Sequence, residues 1–164
     1  MSERKQNKKI DKRAPVIVGV GDLVDRSKED GLNPQELLAK ACEHAIQDSG
    51  IEGLNKHIDY IGVVRFTVDF LTATNQSNFQ YSNFPRTLAN KLDVSTKHEV
   101  YAPMGGNSPQ VLLEDALVKI SAGETDCALL TGGEALQTMI AKLKAGMSLD
   151  WLDEPGGSPE MIGN

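Results

Sequence analysis

Aromatic side chains are scarce: Trp, Tyr and Phe make up 5% of the 164 residues, so aliphatic side chains must fill most of any interior. Cysteine is scarcer. Cys42 and Cys127 have no closely spaced cysteine or histidine beside them, which excludes a disulfide framework and a zinc motif. No apolar run approaches the ~20 residues that span a bilayer. No apolar stretch of the secretory type follows the N-terminal basic residues either. Net positive charge is also missing. At −6 overall the chain is a poor nucleic-acid partner. These absences point to a soluble cytoplasmic protein with no metal site.

What is present is organised. Arg4, Lys5, Lys8, Lys9, Lys12 and Arg13 make residues 1–13 a basic leader, read as disordered because nothing apolar accompanies it. Residues 14–21 (APVIVGVG) read as a strand buried on both faces. Gly19 and Gly21 suggest a dinucleotide fingerprint, but its third glycine falls on Val24 and no helix follows at once. Asn33-Pro34-Gln35-Glu36 opens a helix with a capping box, and Leu37, Leu38, Ala41, Cys42, Ala45 and Ile46 form its apolar stripe. Cys42 and Cys127 read as core thiols, and His44 as exposed. Ile58 to Val64 is the second strand. The long polar stretch from Thr67 to Ser82 reads as a lid, an interaction surface or a plain excursion. A short helix, Pro85 to Leu92, turns Leu88, Ala89 and Leu92 inward. Lys97 to Tyr101 is a third strand whose polar start suits a sheet edge.

The chain is organised around the next stretch, Met104 to Gln110. Gly105 and Gly106 permit a sharp turn, Ser108 offers a helix N-cap, and Pro109 suits the first helical position. Unpaired N–H groups at such an end favour negative charge. Val111, Leu112, Leu113, Ala116, Leu117 and Ile120 then give a wide apolar face. Asp126 to Thr131 is a fourth strand. Leu136, Met139, Ile140 and Leu143 repeat at helical spacing to Gly146; residues 147–164 read as an irregular tail, of which Trp151 to Asn164 show no packing pattern. The β-α order predicts an α/β fold, a mainly parallel sheet with helices on both faces. Ser108 sits one glycine short of a nucleophile elbow, but all three histidines precede it, which opposes a hydrolase.

From Gly106 to Glu134 the pattern resembles the thiolase family, the acetyl-CoA acetyltransferases. That family carries Cys-x-Ser-Gly at the start of a buried helix, then a glycine, an aspartate and Gly-Gly-x-Glu after the next strand. The counterparts here are Gly106-Asn107-Ser108-Pro109, Gly123, Asp126 and Gly132-Gly133-Glu134-Ala135. The resemblance covers about residues 14–146 and implies a thiolase-like N-terminal half. It breaks at one place: the nucleophilic cysteine falls on position 106, which is Gly106. Glycine cannot accept an acyl group from coenzyme A. The sequence is closest in type to thiolase-like proteins related to sterol-carrier thiolases, where Gly-Gly-Asn-Ser-Pro replaces the nucleophile turn.

The family's catalytic histidine, second cysteine and Gly-His-Pro motif lie in a C-terminal half. No histidine follows His98 here and no cysteine follows Cys127. The resemblance therefore implies an acyl-transfer homologue in lipid metabolism that is inactive alone, with a coenzyme A thioester as substrate and no bound cofactor. Gly105, Gly106, Asn107 and Ser108 are the candidate oxyanion or ligand turn. Asp126, Gly132, Gly133 and Glu134 are the other motif residues, Glu134 more a structural turn residue than a base. The competing readings are a binding or assembly subunit, and a gene fragment truncated near residue 146. The partner would be a second copy at the third-strand edge, or a chain supplying the missing half.

Overall fold

A computed structural model describes residues 11–67, 69 and 81–163. Most of the basic leader and most of the polar stretch between Thr67 and Ser82 lie outside the described residues. The sheet is built on β1 (Tyr60–Val64), whose Ile61 and Val63 are fully buried. β2 (His98–Ala102) and β3 (Ala128–Thr131) flank it in parallel, and β4 (Glu160–Met161) pairs in parallel with β2. The order is β3-β1-β2-β4.

Helices cover both faces, as the β-α pattern predicts. α1 (Pro34–Asp48) and α2 (Phe84–Lys91) pack together on one face. α3 (Ser108–Ala122) packs on the other, against β1, β2 and β3. α4 (Leu136–Lys144) follows β3 and leans on the α1 side through Leu136 and Met139. The capping box of α1 is formed: Glu36 N–H donates to Asn33 Oδ1 at 2.8 Å, and Asn33 N–H to Glu36 Oε2 at 3.2 Å. The α1 side holds the larger core, in which Leu38, Cys42, Leu88 and Leu92 join Phe66, Tyr81, Phe84 and Tyr101. The α3 side holds a smaller one of Tyr60, Val100, Ala102, Leu112 and Ala116. Gly62 lets α3 cross β1 closely, since a Cβ there would lie 2.9 Å from Leu112 Cδ2.

Several expectations are corrected. Residues 14–21 form no strand; they run extended along the flank of α1, with Ile17 78% exposed. Their apolar run is strand-like, but among the described residues no strand pairs with them. We call residues 14–24 the strap. The third strand is not a free edge, because Val100 and Tyr101 pair with Glu160 and Met161 of the same chain. Among the described residues β3 is at the other end of the sheet and pairs on one side, with β1. A pairing of two copies through the third strand therefore meets an occupied edge. Residues 147–163 are also not without packing. Leu149 and Trp151 are buried in the larger core, and Gln35 Nε2 donates to the Trp151 carbonyl at 2.8 Å. A composition rich in proline, glycine and acid hid this, since the anchoring comes from two isolated side chains with no repeat between them. Finally, the wide apolar face of α3 is only partly covered: Leu112 and Ala116 are buried, Leu113 is exposed, and Val118 lies outside. On α4 likewise Ile140 and Leu143 are exposed.

Candidate functional site

The glycine turn follows the carboxyl end of β2, so it stands on the rim of the sheet where ligands bind in open α/β folds. Ser108 is not the N-cap. Asn107 holds that position, with no side-chain cap, while Ser108 is the first helical residue and is buried. A backbone turn, Ser108 N–H to Gly105 O at 3.1 Å, precedes the helix and replaces the side-chain cap. Neither Gly105 nor Gly106 has a positive φ. The turn does not need glycine's conformational freedom; a Cβ at Gly105 would lie 3.1 Å from Ser108 Oγ, whereas Gly106 has space beside it. A Cβ at Gly106 would meet nothing within 4 Å. Among the described residues no backbone carbonyl accepts the N–H of Gly106 or Asn107. Both donors are open at the N-terminal end of a 15-residue helix.

A hollow of about 500 Å³ opens beside this helix end. Val64 and Arg65 at the end of β1, Leu130 and Thr131 of β3, Pro109 and Leu112 of α3, and Gly132 to Glu134 line it. Val64, Pro109, Leu112 and Leu130 make much of the lining aliphatic, and Arg65, Thr131 and Glu134 are its polar members. The Arg65 guanidinium lies 4.6 Å from the Tyr101 ring centroid and its Nε is 3.3 Å from Asp69 Oδ2. Asp69 also accepts from Tyr81 N–H at 2.9 Å and Tyr101 OH at 3.0 Å. Burial raises the Asp69 carboxyl above its usual range despite these bonds. Arg65 was legible as a cation directly after an apolar strand, but the sequence reading passed over it.

The second motif has a mechanical arrangement. Glu134 Oε1 accepts from Thr67 N–H at 2.7 Å and Thr67 Oγ1 at 2.6 Å, tying the loop after β3 to the segment that follows β1. The glutamate directly follows the glycine pair. A Cβ at Gly133 would lie 3.1 Å from Leu38 Cδ1, and one at Gly132 3.3 Å from Val64 Cβ, so both glycines sit in tight quarters. Asp126 lies at the opposite end of the sheet with its side chain exposed, and takes no part in the hollow. Its N–H, with that of Cys127, donates to Asp59 Oδ1 at 3.1 and 3.3 Å. Asp59 also receives Lys97 Nζ at 2.7 Å. Burial opposes its charge, but the Lys97 and backbone bonds outweigh it and lower its pKa. Sequence reasoning missed Asp59, although an acid opening an apolar strand is its signal.

Neither thiol is placed for nucleophilic work. Burial pushes Cys42 up to about 11, against an opposing hydrogen bond from Thr131. Cys127 is half-buried and is raised by burial and by the carboxylates of Asp59 and Asp126. His44 is exposed, with Nδ1 2.8 Å from the Asp22 carbonyl. No group of three or more His, Cys, Asp or Glu side chains suited to a metal ion occurs among the described residues. No helix among them is long and apolar enough to cross a membrane.

No family model and no curated protein matches this chain. Among solved structures it is similar to a monomeric SCP2-thiolase-like protein type 1 from Mycobacterium smegmatis, at 31% identity and a TM-score of 0.57. The similarity covers 76% of this chain and 24% of that one, so the chain spans about a quarter of that protein's length. The α/β architecture, a parallel sheet with helices on both faces, is thus a thiolase-like fold.

Proposed function

We propose that this chain is a thiolase-like acyltransferase homologue of the sterol-carrier-related type, inactive by itself, which holds the acyl end of a coenzyme A thioester beside the start of α3. One observation carries the reading: position 106, where the family resemblance puts the nucleophile, is a glycine with open space around it at the helix end. The Gly106 and Asn107 N–H groups would polarise a thioester carbonyl as oxyanion donors, and the aliphatic hollow would take a short acyl chain. Donors alone form no acyl-enzyme, because no side chain attacks the carbonyl. Thiolysis and Claisen condensation are therefore expected to be absent. The test follows acetoacetyl-CoA spectrophotometrically with the 164-residue chain and free coenzyme A. Cleavage at the buffer rate supports the reading; cleavage above it overturns the claim of inactivity.

A second reading, a non-catalytic assembly subunit, is favoured by the apolar surface left on α3 and α4. Val118 is 67% exposed and Leu143 55%. Light scattering after size exclusion separates the two: a compact monomer that binds acyl-CoA supports the first, and an assembly that ignores acyl-CoA supports the second.

A further inference from the structure

We propose that the hollow beside the start of α3 selects an acyl group that ends in a carboxylate, and that Arg65 is the residue that recognises this end. This rests on the reading above, with the thioester carbonyl at the Gly106 and Asn107 N–H groups, and specifies the far end of the acyl chain.

The sheet places Arg65. Its N–H donates to the Ala102 carbonyl at 3.0 Å, which continues the parallel ladder of β1 and β2 one residue past β1. Arg65 is therefore level with the end of β2, three residues before Gly105. Val64, just before it, packs in the smaller core, while the Tyr101 ring under its guanidinium belongs to the larger one. Arg65 stands where the two faces meet at the rim. Of the residues that line the hollow, Arg65 and Glu134 carry charge.

The guanidinium is held from behind and open in front. Tyr101 and the Asp69 side chain, against which it lies, have no solvent exposure, whereas the Arg65 side chain is 26% exposed. Its Nε is buried, so that exposure belongs to the Nη end and the stem. The accessible part faces away from the buried pair, toward the hollow that Arg65 lines. Among the described residues the Nε makes no hydrogen bond, although Asp69 Oδ2 is 3.3 Å away. The Asp69 oxygens accept from Tyr81 N–H and Tyr101 OH. Ring and carboxylate thus orient the cation by attraction and leave its outer end accessible.

A guanidinium on the wall of a largely aliphatic hollow matches a carboxylate on a short hydrocarbon chain. The Nη groups suit both carboxylate oxygens, and Val64, Leu112 and Leu130 cover methylenes. A plain alkyl chain would press against the cation without giving it a partner. Glu134 repels an anion, and its Oε1 is already held by Thr67, so the carboxylate is directed to the Arg65 wall.

The test titrates the 164-residue chain with glutaryl-CoA and with pentanoyl-CoA by calorimetry. The two acyl groups have equal carbon number and differ in the terminal carboxylate; the coenzyme's own charge is common to both. Glutaryl-CoA should bind at least about tenfold more tightly. This preference should shrink as salt is raised, a readout that needs no variant. Arg65→Gln should bring the ratio to about one, and Arg65→Lys should keep part of it, since the charge survives and the fork does not. Equal affinities in the parent overturn the proposal and leave the reading of the turn standing. A preference that survives Arg65→Gln overturns it as well. So does equal weakening of both ligands by Arg65→Gln, which would assign the guanidinium to the coenzyme's phosphates. Binding of neither thioester overturns the proposal and the reading of the turn together.

Discussion

The two faces of this sheet are built to different standards. On the α1 face five of the six described aromatics gather, and Phe84 meets Phe66 and Tyr81 edge-on at 4.9 and 4.7 Å. The tail is laid over that face by Trp151, and a polar cluster beneath α2 is satisfied: Glu99 accepts from Asn83, Arg86 and Thr96 at 2.8–3.0 Å. On the α3 face a thin core of Leu112, Ala116 and their strand neighbours stands under a helix whose outer side is bare. The open turn and the aliphatic hollow are on this thinner face. Stability and the candidate site are therefore carried by opposite sides of one sheet, so mutations should separate them.

The largest effect should come from Phe84→Ala. It empties the middle of the aromatic cluster at a site with no solvent exposure, and should cost about 3–5 kcal/mol in urea unfolding. Leu112→Ala on the other face should cost less, about 2 kcal/mol, because the space it leaves merges with the hollow instead of staying a closed void. Equal losses would erase the asymmetry.

Acid should act mainly through the carboxylates that tie elements together. Glu99 and Asp59 both have folded pKa values below their ordinary ones: burial opposes their charge, and the Arg86 and Lys97 bonds lead the effects that outweigh it. A depressed carboxyl binds fewer protons folded than unfolded. The stability it lends is complete above its ordinary value, near pH 4, and is lost as pH falls through the folded value. Urea midpoints should therefore drop below about pH 4. Glu99→Gln should be less stable at pH 7, with a gap to the parent that narrows toward pH 2. A gap of constant width would show that the Glu99 charge does not matter.

The thicker face was the more legible one in sequence, because local rules decide it. The capping box at Asn33, the inward set Leu88, Ala89 and Leu92, and the parallel β-α order all follow from spacing and cap chemistry. Failures occurred where burial depends on distant chain. The valines at 16–20 carry a strand's composition, yet a strand needs a partner, and none of the described strands pairs with them. Trp151 is an anchor only because Gln35 and the larger core receive it. The glycine turn was found, but its cap was misassigned by one residue, since a backbone turn from Gly105 does the work expected of the Ser108 hydroxyl. Asp59 was passed over because its cationic partner, Lys97, is 38 residues away, and Arg65 because the ring it stacks on, Tyr101, is 36 residues away, although its carboxylate partner Asp69 is only four residues on.

Two cysteine measurements set the faces against each other, native thiols on the thicker one and a new thiol on the thinner, with the smallest expected cost to stability. In the parent, Cys42 at about 11 and the raised Cys127 should label slowly with iodoacetamide at pH 8. Gly106→Cys should then add one fast thiol. Its Cβ enters open space, its φ is not left-handed, and the helix end favours the thiolate. Stability should change by no more than about 0.5 kcal/mol. Labelling should be several-fold faster than for a free cysteine peptide at pH 7, because a lowered pKa raises the thiolate fraction. Thiolysis should still be absent, since no described histidine lines the hollow to carry the proton. A large loss of stability would mean that the turn cannot accept a side chain. Position 106 would then be a structural glycine, and the parallel with the nucleophile turn would lose its basis.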